Sequence, residues 1–193
     1  MKAKVISAVA TIVIQAVFIA AGVMLERHWF IPDNLLFILL GFISFFIWGR
    51  LRLNVFIMIL TNIFFILHSL GFVDFYALSP LGIPYDKILH FFGPMILSLI
   101  IYRTLGDNRI PRWLLTLLIV LGVGGLIEIV EYLGFAFLGE GEGLFFFGVG
   151  DGGKLINSWE NAITDLMANV LGSVAGVCIL ALMNKFKTTK ENI

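Results

Sequence analysis

The sequence predicts an all-α fold: a polytopic transmembrane bundle of about six helices with both termini in the cytoplasm. Three observations predict it. Across 193 residues, 60% are hydrophobic and the mean hydropathy is +1.01. Only 13% are charged, about half the quarter expected of a soluble domain. Apolar runs also recur near the ~20-residue length that carries a helix across a bilayer.

In chain order the spans are Val5–Leu25, Asn34–Trp48, Leu53–Gly71, Ile88–Leu105, Trp113–Leu138 and Ala162–Met183. They occupy most of residues 1–193, which therefore read as one integral membrane domain. The first follows Lys2 and Lys4 like a signal peptide, and Ala20-Ala21-Gly22 offers a cleavage site. Its apolar run exceeds the roughly 7–15 residues of a signal-peptide core, so it reads as a retained helix. The second span is the shortest and starts within the interface or tilts little.

Basic residues set the orientation. Lys2, Lys4, Arg50, Arg52, Arg103, Arg109, Arg112, Lys185, Lys187 and Lys190 fall on one side, against Arg27, Lys87 and Lys154 on the other. The richer side is cytoplasmic, which places the chain in the cell inner membrane with N-in/C-in topology. Trp29, Tyr76, Tyr85 and Trp159 fall at outer boundaries, and Trp48, Tyr102 and Trp113 near inner ones, as interfacial anchors. Formal net charge is zero, so nothing points to nucleic acid; the expected partners are membrane lipids. A lone Cys178 allows no intramolecular disulfide.

One connection is unusual. Residues 139–160, GEGEGLFFFGVGDGGKLINSWE, form an extracytoplasmic loop rich in Gly and Phe. It reads as a lid or re-entrant element over the outer face, or as a floppy outer loop.

The polar residues inside the spans gather in the outer half. Asp86 and His90 are four apart and share a face of the fourth helix, with Lys87 beside them. Glu128 and Glu131 lie roughly 10–15 Å below the outer end of the fifth. Asn161, Asp165 and Asn169 recur every four residues on the last helix, and His68 is one turn from the outer end of the third. Each lone charge in lipid costs roughly 2.5–3.5 kcal/mol. Four carboxylates would cost about 10–14 kcal/mol, comparable to the whole stability of a typical protein. They must face the bundle interior and be protonated, paired, hydrated or bound to a cation. Two glutamates one turn apart can share a proton without any metal. Ala168, Gly172 and Gly176 form a small-residue stripe about 60° from the polar one, a surface that lets another helix come close.

Each polar residue also has a plain reading. Lys87 can snorkel to outer headgroups or pair with Asp86; His68 can be incidental; Asp165 and Asn161 can cap the last helix. The functional reading assigns catalysis to His90, Glu128, Glu131 and Asp165, supported by Asp86, Lys87, His68, Asn161 and Asn169. The same four catalytic candidates offer N and O ligands suited to a divalent metal, zinc or manganese, which would activate water against an ester or phosphoester. A metal-free pocket for a lipid-linked or amphiphilic ligand is the second option, and proton or cation coupling the third. Against the third, no acid or histidine marks the inner half of the spans. No tight zinc motif, nucleophile elbow or nucleotide fingerprint occurs.

The order D-K-x-x-H-F (Asp86, Lys87, His90, Phe91), E-x-x-E (Glu128, Glu131) and D-x-x-x-N-x-x-G-x-x-x-G (Asp165, Asn169, Gly172, Gly176) resembles the VanZ-like membrane superfamily. It is most similar to the YjdF-like inner-membrane branch. The VanZ-like core covers residues 84–180. The resemblance implies a small helical envelope protein, and in founding members a link to glycopeptide resistance, notably to teicoplanin. Two departures stand out: Glu131 replaces a typical Gln, and Asn157-Ser158-Trp159-Glu160 stands where an Arg usually precedes the Asp.

Overall fold

The structure is a computed structural model and describes residues 2–105, 110–138 and 158–191. It contains six α-helices: α1 Lys2–Met24, α2 Ile31–Ile47, α3 Val55–Ser69, α4 Tyr85–Thr104, α5 Arg112–Leu138 and α6 Ser158–Glu191. Short 3-10 turns at His28–Phe30, Leu70–Val73, Phe75–Ala77 and Pro80–Gly82 complete the connections, and no strand occurs among the described residues. The predicted helical bundle is therefore the observed fold class. By length and composition, Lys4–Met24, Arg112–Gly134 and Glu160–Leu182 are long and apolar enough to cross a membrane. Ile31–Ile47 and Val55–Ser69 are apolar but shorter.

Two of the helix starts that differ from the hydropathy reading bring acids into the bundle. α2 begins at Ile31, with Pro32 in its first turn and Asp33 behind it. Both are N-terminal residues by chemistry, since Pro lacks an N–H the first turn does not need and an acid suits the positive helix end. α4 begins at Tyr85, so Asp86 and Lys87 stand in its first turn, inside the helix.

α1 packs on α2 and α3, α3 on α4, and α5 on both α4 and α6. The most extensive packing joins α4 to α6, and glycine is the reason. A Cβ on Gly172 would meet the Phe91 carbonyl oxygen at 2.0 Å, and one on Gly176 the Met95 carbonyl at 2.5 Å. Four residues along one helix match four along the other, so the two run parallel in register. Ala168, one turn earlier on the stripe, is half-buried.

The two ends of the bundle are built differently. Towards the chain reversal between α3 and α4, Phe30, Tyr76, Tyr85 and Leu89 form one core cluster. At the other end, Leu53, Ile57, Met58, Leu99 and Leu180 form a second, with Trp48 and Tyr102 against it. Tyr76 and Tyr85 thus do not serve as interfacial anchors. Each is buried, their rings meet edge to face, and the Tyr85 hydroxyl donates to the Leu67 carbonyl at 2.7 Å. The 3-10 turns fold back over the bundle and take both rings out of the interface. The Trp29 and Trp159 side chains, the 139–157 part of the glycine-rich loop, and Arg109 lie outside the described residues.

Gly172→Ala is expected to separate α4 from α6 and cost about 1–3 kcal/mol, the usual range for overpacking. Gly125→Ala on α5, where a Cβ meets nothing within 4 Å, should be neutral or stabilising by up to about 1 kcal/mol. Thermal unfolding of detergent-purified protein checks both, and equal melting of the two variants would rule out the zipper.

Candidate functional site

The site is assembled by α4, α5 and α6. On α4, Asp86 and His90 are one turn apart, and the helix continues through Gly93 and Pro94. Proline carries no N–H, so the His90 carbonyl loses its usual helical donor four residues on. Gly93 leaves room for the Phe64 ring of α3, which would stand 3.0 Å from an added Cβ. From α5, Glu128 and Glu131 project from one face. α6 contributes Asn161, Asp165 and Asn169 from another. Asn169 fits because α5 has Gly124 opposite: a Cβ there would meet the Asn169 amide nitrogen at 2.7 Å.

Lys87 turns inward and does not reach for headgroups. Its ammonium donates to Asp165 Oδ1 and Asn161 Oδ1, each at 2.7 Å, and to Asp86 Oδ2 at 3.3 Å. Asp165 is fully buried, with its side chain 0% exposed. It stands two turns into α6 and accepts from Lys87, so neither it nor Asn161 is occupied as a simple helix cap.

His90 occupies the centre. Its Nε2 lies 3.5 Å from Asp86 Oδ1 and 3.7 Å from Asp165 Oδ1. The opposite nitrogen, Nδ1, lies 3.3 Å from Asn169 Oδ1 and 3.6 Å from Glu128 Oε1. The imidazole therefore stands between two pairs of carboxylates, with Glu131 completing the second. Two sets have the spacing for a metal ion: Asp86, His90 and Asp165, and His90, Glu128 and Glu131. The structure thus brings together every candidate except His68. Glu128 Oε1, Asp165 Oδ2 and Asn169 Nδ2 are buried with no hydrogen-bond partner.

His68 belongs to a second network that the sequence reading did not find. Its Nδ1 is 3.9 Å from Asp33 Oδ2, and the rings of Phe37, Phe64 and Tyr76 surround it. Beside it the Ser69 hydroxyl lies 2.8 Å from Asn34 Oδ1 and 3.0 Å from Gln15 Oε1. Asp33, Asn34, Gln15 and Ser69 are all buried. Pro32-Asp33 is the available sequence signal: a helix that starts at Ile31 takes Asp33 out of the loop and sets it beside Asn34 inside the bundle.

Both networks open on one cavity of about 620 Å³. Its ionisable lining is His68, Asp86, His90 and Glu131, with Asn161 and Asn169 beside them, while Ser44 and Thr61 are polar residues farther along. The rest is mainly apolar and follows α4 as far as Ile101, between α2 and α3 on one side and α5 on the other. From Asp86 to Ile101 the helix advances about 22 Å at 1.5 Å per residue.

Helices long and apolar enough to cross a membrane, with acids and an imidazole held inside the bundle, define a helical integral membrane protein. Within that class, the chain belongs to the family described as predicted membrane protein (DUF2238), whose match spans residues 6–186. No curated protein and no solved structure is significantly similar to it.

Lys87→Met is expected to destabilise the protein by about 3–5 kcal/mol, because it leaves buried carboxylates without their cation. Adding Asp165→Asn to that variant should recover a substantial part. Melting of the two single variants and the double variant gives the coupling; additive losses would show that the pair does not act as a unit.

Proposed function

We propose that the protein binds an amphiphile, a lipid or lipid-linked envelope component, in the cavity along α4. The polar head rests against His90, Glu131 and Asn169, and the chain lies along Leu97, Ile100 and Ile101. The observation that carries the reading is the polarity gradient of this one cavity: ionisable groups at one end, a mainly apolar wall for the rest. A volume of about 620 Å³ falls within the roughly 300–1,000 Å³ of small-molecule sites. His90 and the adjacent acids give the head end the polar contacts that a bound headgroup would need.

The excess of Lys and Arg on the opposite side supports an orientation with the polar end on the extracytoplasmic face of the inner membrane and both termini inside. The three motifs that resemble the VanZ-like superfamily, in its YjdF-like branch, supply the His90 cluster and the α4–α6 zipper. That supports an envelope role without extending to an antibiotic phenotype, since Glu131 and the missing Arg depart from the usual pattern. Coupled transport is the weaker reading. The described residues at the opposite end gather Leu53, Ile57, Met58, Leu99 and Leu180, which leaves no chain of ionisable groups through the bundle.

Native mass spectrometry of protein purified in mild detergent tests the reading. A retained lipid-mass adduct is expected, and Leu97→Trp, which fills the apolar part of the cavity, should abolish it while the melting temperature holds. Wild-type protein that retains nothing, even after incubation with phospholipid, would overturn it. Reporter fusions after Leu105 and Ile193 are both expected to report the cytoplasm; an extracytoplasmic signal at either reverses the orientation.

A further inference from the structure

The two carboxylate pairs on either side of His90 are not equivalent, and the difference assigns them separate roles. The Asp86–Asp165 pair already has a cation: the Lys87 ammonium bonds to both, at 3.3 and 2.7 Å. The Glu128–Glu131 side is met instead by the imidazole, with His90 Nδ1 3.6 Å from Glu128 Oε1. Glu128 has a side chain only 9% exposed, and its Oε1 is buried, without a hydrogen-bond partner, and faces His90 Nδ1.

We propose that His90 Nδ1, Glu128, Glu131 and Asn169 Oδ1 bind one divalent transition-metal ion. The geometry fits such an ion better than direct hydrogen bonds. Ligand atoms about 2.0–2.2 Å from a common metal stand about 2.8–3.6 Å apart at octahedral or tetrahedral angles. Around Nδ1 the observed separations are 3.3 Å to Asn169 Oδ1 and 3.6 Å to Glu128 Oε1, and the His90, Glu128 and Glu131 ligand atoms all lie within 4.8 Å of one another. Small side-chain rotations close the remaining gap. A set of one imidazole, two carboxylates and an amide carbonyl suits manganese or zinc.

Asp165, a metal ligand in the sequence reading, takes a different part. With the metal on Nδ1, the proton resides on Nε2, which faces Asp86 and Asp165 at 3.5 and 3.7 Å. A carboxylate behind a metal-bound imidazole fixes the ring's tautomer and orientation. Lys87 in turn holds those carboxylates in place. Asp86, Asp165 and Lys87 are positioning residues here.

His90, Glu131 and Asn169 also line the cavity, so open coordination positions face it. A headgroup that completes the metal's coordination is an oxyanion, a phosphate or carboxylate. This choice of headgroup rests on the amphiphile reading above; the ion site does not.

The test is a titration of chelator-stripped, detergent-purified full chain with Mn²⁺ alone, followed by the EPR signal of the free ion. One saturable equivalent is expected, displaced by Zn²⁺. Glu128→Gln and Glu131→Gln should each weaken binding by more than the roughly 10–100-fold typical of outer partners, whereas Asp165→Asn keeps one equivalent. Bound Mn²⁺ should show a nitrogen coupling that His90→Ala removes, a readout in wild-type protein that no misfolded variant can mimic. No saturable binding, no nitrogen coupling, or loss in Asp165→Asn with retention in Glu128→Gln would each overturn the assignment. Protein that binds Mn²⁺ but retains no lipid overturns the amphiphile reading alone, and lipid retention without Mn²⁺ binding overturns the ion site alone.

Discussion

The contact between Lys87 and Asp165, 2.7 Å long between two buried side chains, is the constraint around which the bundle is organised. Ions in an apolar interior are tolerated only when geometry is good and the remaining polar atoms are satisfied. Here α4 supplies the ammonium and α6 the carboxylate, and Asn161 one turn away takes a second ammonium proton. Neither helix can slide by a turn without separating them. Below the pair, Gly172 and Gly176 bring α6 against the α4 backbone at Phe91 and Met95. Charge sets the register at one end, and the absence of side chains keeps it along the rest.

With α4 and α6 locked, α5 completes the arrangement. Gly124 lets Asn169 lie against α5, and Glu128 comes level with His90. The imidazole is then held from both edges, by acids of its own helix and of two others. Pro94 acts just beneath, where the helix lacks one backbone donor. A local break in the hydrogen-bond ladder beside the central ring is a common way for a helix to carry a functional group.

Much of this was legible in the sequence because a membrane restricts the alternatives. Apolar length located the helices, and the rule that intramembrane charges face inward gathered Asp86, His90, Glu128, Glu131 and Asp165 without any view of the fold. Spacing by fours placed Asn169 with Asp165, and the glycines announced a close neighbour. What failed was anything decided by tertiary pairing. Lys87 is as suited to headgroups as to an acid, and only its closeness to Asp165, 78 residues away, decides it. Tyr76 and Tyr85 have interfacial chemistry, yet a chain reversal buries them. Hydropathy alone put Asp33 in a loop and so hid the network around His68. The partner that makes room for Asn169, Gly124, carries no signal of its own, since glycines are common in membrane helices.

The division of labour within the bundle follows from these pairings. The charged groups of the His90 cluster come from α4, α5 and α6, and α4 and α6 share the most extensive packing in the bundle. The apolar wall opposite comes from α2 and α3, and α2 packs chiefly on α1. For the proposed amphiphile, head and chain would therefore rest on different supports. The charge-registered half would discriminate sharply, because a buried polar group left unpaired costs about 1–3 kcal/mol. An apolar wall discriminates weakly, at about 0.8 kcal/mol per CH₂, and shifts of α2 and α3 need break no ion pair between α4 and α6. Selectivity for the proposed amphiphile would then belong to the headgroup, and tolerance to the chain.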